Sequence, residues 1–91
     1  MPDMRHKKQL LNAIRNASTS TEFLDQFLID LLTPKEYAVL VTRWEIVRRL
    51  ANGEPQRAIA KDIGVGIGTV TRGAREMQNV HGGFHRMLER V

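Results

Sequence analysis

Gln56-Arg57-Ala58-Ile59-Ala60-Lys61-Asp62-Ile63-Gly64-Val65-Gly66-Ile67-Gly68-Thr69-Val70-Thr71-Arg72-Gly73-Ala74-Arg75 reads as a short helix, a tight turn and a second helix. Ile59 and Ile63 stand four residues apart and so share one helical face. Ala60 is small where the next helix must pass close, and Gly64 can take a left-handed conformation at the end of the first helix. Val70 begins the buried face of the second helix. Small residue, glycine and β-branched residue fall at the offsets of a helix-turn-helix, whose second helix is laid into the DNA major groove. The competing reading is an ordinary helical hairpin.

Upstream, Thr33-Pro34-Lys35-Glu36 is the clearest helix start in the chain. Threonine can cap, proline suits the first helical position, and glutamate three residues on can answer the cap. The helix that follows should run to about Ala51, with Tyr37, Leu40, Val41, Trp44, Val47 and Leu50 apolar on more than one side, which predicts a central position. Trp44 fits a core or a dimer interface better than a binding role. Asn52-Gly53 ends this helix and Pro55 prevents its continuation. Further upstream, residues 4–17 form a helix with Leu10, Leu11, Ile14 and Ala17 on one face. Thr19 followed by Glu22 fits a capping box, giving a helix over about 20–31 with Phe23, Phe27 and Leu31 as a core-packing row. Downstream, Asn79 to Gly83 breaks the chain, and a last helix from about Phe84 carries Met87, Leu88 and Val91 on one side. No strand pattern appears. The expected organisation is one all-α domain: a helical dimerisation core over 1–52, the helix-turn-helix over 56–78 and a C-terminal helix over 84–91.

Ninety-one residues suffice for one small domain, whose core alone would be marginal. Rows of large apolar residues on several helices suggest cover by a second copy. No cysteine is present, which excludes disulfides and cysteine-based metal or nucleophile chemistry. No apolar run is long enough to span a bilayer and no signal-peptide pattern opens the chain, so a soluble cytoplasmic protein is expected. The net charge of +4 is unevenly spread. Residues 1–40 carry five basic and five acidic side chains, whereas residues 41–91 carry nine basic and five acidic. The excess therefore lies with the helix-turn-helix, as a polyanion-binding surface requires.

Three other patterns lead nowhere. Gly64-x-Gly66-x-Gly68 lacks the wider spacing and the strand-helix-strand frame of a dinucleotide loop; its glycines serve the turn and close approach to DNA. His81 and His85 have a spacing two metal ligands could use, yet no third ligand is evident, so no metal is expected. Asp25, Asp30 and Glu36 read as solvated helix surface rather than paired catalytic carboxylates, and no enzyme is expected.

At Leu32-Thr33-Pro34-x-Glu36, Thr42-Arg43-x-x-Ile46-Val47, Gly53-Glu54, Gln56-Arg57 and Gly66-Ile67-x-Thr69-x-Thr71-Arg72-Gly73, the chain resembles the bacterial Trp repressor family. The resemblance covers about residues 28–90. It implies an all-α intertwined homodimer of six-helix subunits that binds a palindromic operator with L-tryptophan as corepressor. By the resemblance, Arg43 and Arg72 flank the indole, and guanidinium planes stack well on such a ring. Thr33 would meet the ligand carboxylate, and the backbone carbonyls of Asp30 and Leu32 its amino group. Ile46, Val47 and Gly73 would line the ring pocket, with Glu76 near the ammonium. Arg57 would read a base, since arginine pairs bidentately with guanine. Ile67, Gly68, Thr69 and Thr71 would meet DNA at the start of the recognition helix, while Gln56, Thr42 and Arg72 position phosphates. Arg75, three residues beyond Arg72, is added to that set for its reach to the backbone.

The chain departs from the family pattern at several places. It is one residue shorter between Gly53 and Gln56, Ala60 stands where a lysine is common, and Gly68 replaces alanine. Asp30 replaces an apolar residue at a position used only through its backbone. Glu76 replaces a small hydroxyl residue; its carboxylate could pair with the ligand's ammonium or engage Arg72. Two alternatives to the tryptophan repressor follow: a related regulator with a different ligand or none, and a helical adaptor that binds protein.

Overall fold

A computed structural model describes Met1–Val91 as six helices and no strands. They are α1 (Met4–Ala17), α2 (Thr21–Leu31), α3 (Pro34–Ala51), α4 (Gln56–Ile63), α5 (Ile67–Glu76) and α6 (Gly83–Leu88). The all-helical expectation and the helix-turn-helix frame are both met. Two compact units make up the chain, Met1–Ala38 and Val39–Val91, with α3 running through the boundary.

In the first unit, local hydrogen bonds set each helix end. Asp3 caps α1 by accepting from the Arg5 N–H at 2.7 Å. The hydroxyls of Ser18 and Thr19 donate back to the carbonyls of Ile14 and Asn16, at 2.7 and 3.1 Å. Both residues thus finish α1, and the cap of α2 falls to Ser20, whose Oγ accepts from the Phe23 N–H at 2.9 Å. The capping box expected between Thr19 and Glu22 is therefore replaced by a cap one residue later, and α2 starts at Thr21. The box at α3 forms as expected. Thr33 N–H donates to Glu36 Oε1 at 2.9 Å, and Glu36 N–H donates to Thr33 Oγ1 at 3.1 Å. Asp25 is more than solvated surface, because it accepts the Tyr37 hydroxyl at 2.8 Å.

Packing in this unit departs from the expected core. Ala17 is its one fully buried side chain. Leu10, Leu11, Phe23, Ile29 and Leu31 stay exposed, Phe23 and Leu31 at about half their surface. The apolar rows on α1 and α2 exist, but Leu10, Leu11, Phe23 and Leu31 in them are left uncovered.

The second unit holds the compact core. Ile46 of α3, Ile59 and Ala60 of α4 and Val70 of α5 form one buried cluster, with Leu50, Ile63 and Val65 against it. Removing Ile59 or Val70 from water contributes about 1.5–3 kcal/mol each. Leu40 and Val41 of α3 remain exposed, so the helix is central only by the side that carries Ile46, Val47 and Leu50. Gly53, at φ 82°, closes α3: its N–H reaches the Leu50 carbonyl at 3.0 Å, and Glu54 N–H reaches that of Arg49 at 3.2 Å. α6 begins at Gly83 and stops at Leu88, so Val91 lies beyond it, contrary to a helix over 84–91. Six residues make few backbone bonds, and Arg90 N–H already closes a tighter turn onto the Met87 carbonyl at 2.9 Å.

Candidate nucleic-acid interface and ligand residues

The turn between α4 and α5 depends on Gly64. Its φ of 82° is a conformation that residues with a Cβ rarely adopt, and its N–H and that of Val65 both reach the Ala60 carbonyl, at 2.9 and 3.0 Å. Gly66 is not required by the turn, since it caps α5 in ordinary extended geometry. A Cβ at Gly66 or Gly68 would meet nothing within 4 Å. What those glycines leave open is therefore the outer surface of the unit. Gly73 differs: a Cβ there would come within 3.0 Å of Ile46 Cγ2, so its bareness lets α5 lie close on α3.

On this frame α5 presents one polar face. Ile67, Gly68, Thr69, Thr71, Arg72 and Arg75 are exposed, as is Arg57 on α4. The N–H groups of Ile67 and Gly68 have no acceptor within the protein, because Gly66 offers no side chain to cap them. Free amides at a helix start suit an anion such as a phosphate. Gln56 is half-buried and tied to α5: the Thr71 hydroxyl has two acceptors, Gln56 Oε1 at 2.9 Å and the Ile67 carbonyl at 3.0 Å. Thr42 lies half-buried on α3. Ala60, where the family commonly has lysine, is buried in the core, so it serves packing.

Charge pairing sharpens the basic character of this unit. Arg48 and Arg49 are bound to carboxylates, whereas Arg43, Arg57, Lys61, Arg72 and Arg75 form no ion pair. Glu45, Glu54 and Asp62 are in turn the carboxylates that Arg48 and Arg49 neutralise. The free cations outnumber the free anions here by more than the sequence count suggests.

The residues expected at the ligand fall in both units. Ile46 and Val47 are buried, Gly73 is half-buried against Ile46, and Arg43 and Arg72 are exposed without partners. At the end of α2, Pro34 has no N–H to return to the Asp30 carbonyl, and Glu36 N–H goes to Thr33 Oγ1 instead of the Leu32 carbonyl. Both carbonyls are left as free acceptors, and the Thr33 hydroxyl, an acceptor in its cap, keeps its own proton to donate. Glu76 forms no ion pair with Arg72. It lines a cleft of about 590 Å³ with Trp44, Asn79, Phe84 and Met87. Trp44 and Phe84 meet there with ring centres 6.3 Å apart and planes tilted by 41°. His85 is engaged as well, its Nε2 lying 2.6 Å from the Met77 carbonyl.

Sequence reading missed two features of this unit. One is the aromatic cleft, which needs Trp44 and Phe84, forty residues apart, to meet. The other is the set of contacts made by Arg49, to Glu45, Glu54 and Asp62.

Known proteins bear on the fold and the face together. A family model described as Trp repressor protein matches residues 5–91. The chain belongs to the Trp repressor family. It is 37% identical over 78 residues to a Trp operon repressor homolog of Vibrio vulnificus, covering 85% of this chain and 76% of that protein. It is 38% identical over 79 residues to the homolog of Vibrio cholerae, covering 86% and 76%. With the homolog of Photobacterium profundum it shares 36% over 78 residues, covering 85% and 75%. Membership makes this a DNA-binding transcriptional repressor acting through a helix-turn-helix, in a family of regulators and not of enzymes. No helix is long and apolar enough to cross a membrane.

Proposed function

We propose that this repressor takes L-tryptophan as corepressor and binds a palindromic operator as a homodimer in the cytoplasm. The observation that carries the reading is the set of unsatisfied groups at the family's ligand positions. Arg43 and Arg72 lack carboxylate partners, and the Asp30 and Leu32 carbonyls lack donors. An α-amino acid supplies what each lacks: a carboxylate for arginine, an ammonium for carbonyl oxygens, and an indole face for a guanidinium plane. Arg72 sits on α5 directly before Gly73, so a ligand held by it would bias the recognition helix. In a dimer the two recognition helices would then fit major grooves about 34 Å apart. Arg57, Ile67, Gly68, Thr69, Thr71 and Arg75 would meet the duplex, with Thr42 and Gln56 at its phosphates.

The second reading, a regulator with another ligand or none, is favoured by Glu76, which lines the cleft beside Trp44 where the family has a small hydroxyl residue. Calorimetric titration decides between them. With L-tryptophan, saturable heat near one ligand per subunit is expected, lost in Arg72→Ala and absent with D-tryptophan. No heat at millimolar L-tryptophan from folded protein would leave the second reading in place.

A further inference from the structure

Arg49 forms three ion pairs, more than any other side chain of the chain, yet it belongs to none of the contacts discussed for DNA or ligand. Its side chain is about a quarter exposed. Its guanidinium reaches Glu45 one turn back on α3, with Nε–Oε2 at 2.9 Å. It also bonds Asp62 in the last turn of α4 and stands 3.8 Å from Glu54 in the connection between the two helices. These contacts hold the arginine firmly in its charged form, the bond to Asp62 first among them.

Asp62 is the informative partner. A carboxylate in the last turn of a helix faces the negative end of the helix dipole. It also adds negative charge to a unit that must approach a polyanion. Helix formation and DNA attraction both argue against an acidic residue there. What remains is its bond to Arg49. The core beneath it, Ile46 and Leu50 against Ile59, Ala60 and Ile63, is apolar and non-directional. Such contacts hold α4 against α3 through shape alone. A guanidinium fork bonded to carboxylates on both helices adds a directional restraint at the edge of that core.

We propose that Arg49 is a positioning residue for DNA recognition: by clamping Asp62 of α4 to α3, it fixes the angle at which the α4–α5 unit meets the duplex. The inference rests on the DNA-binding role of that unit and touches no residue placed against DNA.

Asp62→Asn gives a test in which two accounts predict opposite signs. Asp62 is about two-thirds exposed, so the variant should fold. Removing a negative charge should tighten DNA binding if charge alone matters; losing the clamp should weaken it. The probe is the duplex that the unaltered protein enriches from a random-sequence pool, with L-tryptophan present. We expect Asp62→Asn to bind it about fivefold more weakly, with an unchanged dependence on salt because no phosphate contact is lost. Asp62→Glu, which keeps the bond, should recover most of the loss, and Arg49→Met should reproduce it. Equal or tighter binding by Asp62→Asn overturns the proposal. If the unaltered protein enriches no duplex, the DNA role itself has failed, and amide exchange in α4 decides instead. Faster exchange over residues 59–63 in Asp62→Asn then supports the clamp, and unchanged exchange rejects it.

Discussion

At the scale of single residues, Gly73 shows how the absence of an atom sets the position of a helix. Alanine is the better helix former by about 1 kcal/mol, so local propensity favours Gly73→Ala. The new methyl would stand 3.0 Å from Ile46 Cγ2, in tighter contact than side chains normally accept. Ile46 cannot yield easily, because it is buried in the cluster with Ile59 and Val70. Overpacking of this kind costs about 1–3 kcal/mol, so the clash should outweigh the gain. We expect Gly73→Ala to lower the urea midpoint at constant slope, a net loss of about 1 kcal/mol. In an Ile46→Ala background the same substitution should become neutral or stabilising, since the methyl then has room. Destabilisation of equal size in both backgrounds would show that the 3.0 Å contact is not the cause.

At the scale of elements, the start of α3 links a sequence motif to a dependence on pH. Thr33 N–H bonded to its carboxylate holds Glu36 below the ordinary glutamate range. A depressed folded-state pKa means that the ionised form stabilises the fold. That contribution is complete above the unfolded-state pKa and is lost as pH falls through the folded-state value. Glu36→Gln keeps an acceptor but not the charge. Its stability deficit against the unaltered protein should be present at neutral pH and vanish under acid; a deficit independent of pH would count against the bond. This box was legible because all its atoms lie within four residues. Ser18-Thr19-Ser20-Thr21 was read one residue early for a related reason: four hydroxyls in a row can each serve, and the end of α1 takes the first two. Ile59, Gly64 and Val70 were legible from spacing, whereas Arg43, Arg57 and Arg72 were singled out only through the family resemblance. Arg49 with Asp62 was not, because thirteen residues and the angle of a turn separate them. Nor was the short extent of α6, which ends where Arg90 N–H closes a tighter turn onto the Met87 carbonyl.

At the scale of the molecule, the question is what covers the first two helices. Ordering a residue costs about 1–2 kcal/mol in backbone entropy alone, and the segment Met1–Ala38 buries little besides Ala17 in return. Segments of that size do not usually fold without help from a partner surface, a metal or a disulfide. Cysteine is absent, and no group of metal-binding side chains is assembled. Leu10, Leu11, Phe23, Ile29 and Leu31 meanwhile expose apolar surface that monomeric proteins seldom leave in contact with water. A second copy resolves both at once, and a symmetric pair is also what a palindromic operator would require. If folding and pairing are coupled in this way, stability must depend on concentration. The melting temperature should therefore rise with each tenfold increase in protein, and sedimentation should give twice the chain mass at micromolar concentration. Leu11→Glu places a charge on the exposed face of α1 and removes nothing from the buried cluster of α3, α4 and α5. It should shift sedimentation towards the single chain and lower the melting temperature, while leaving amide exchange in α4 and α5 unchanged. A chain that sediments as a monomer, with a melting temperature independent of concentration, would mean that α1 and α2 are stable with these side chains in water, and the dimer would have to be abandoned.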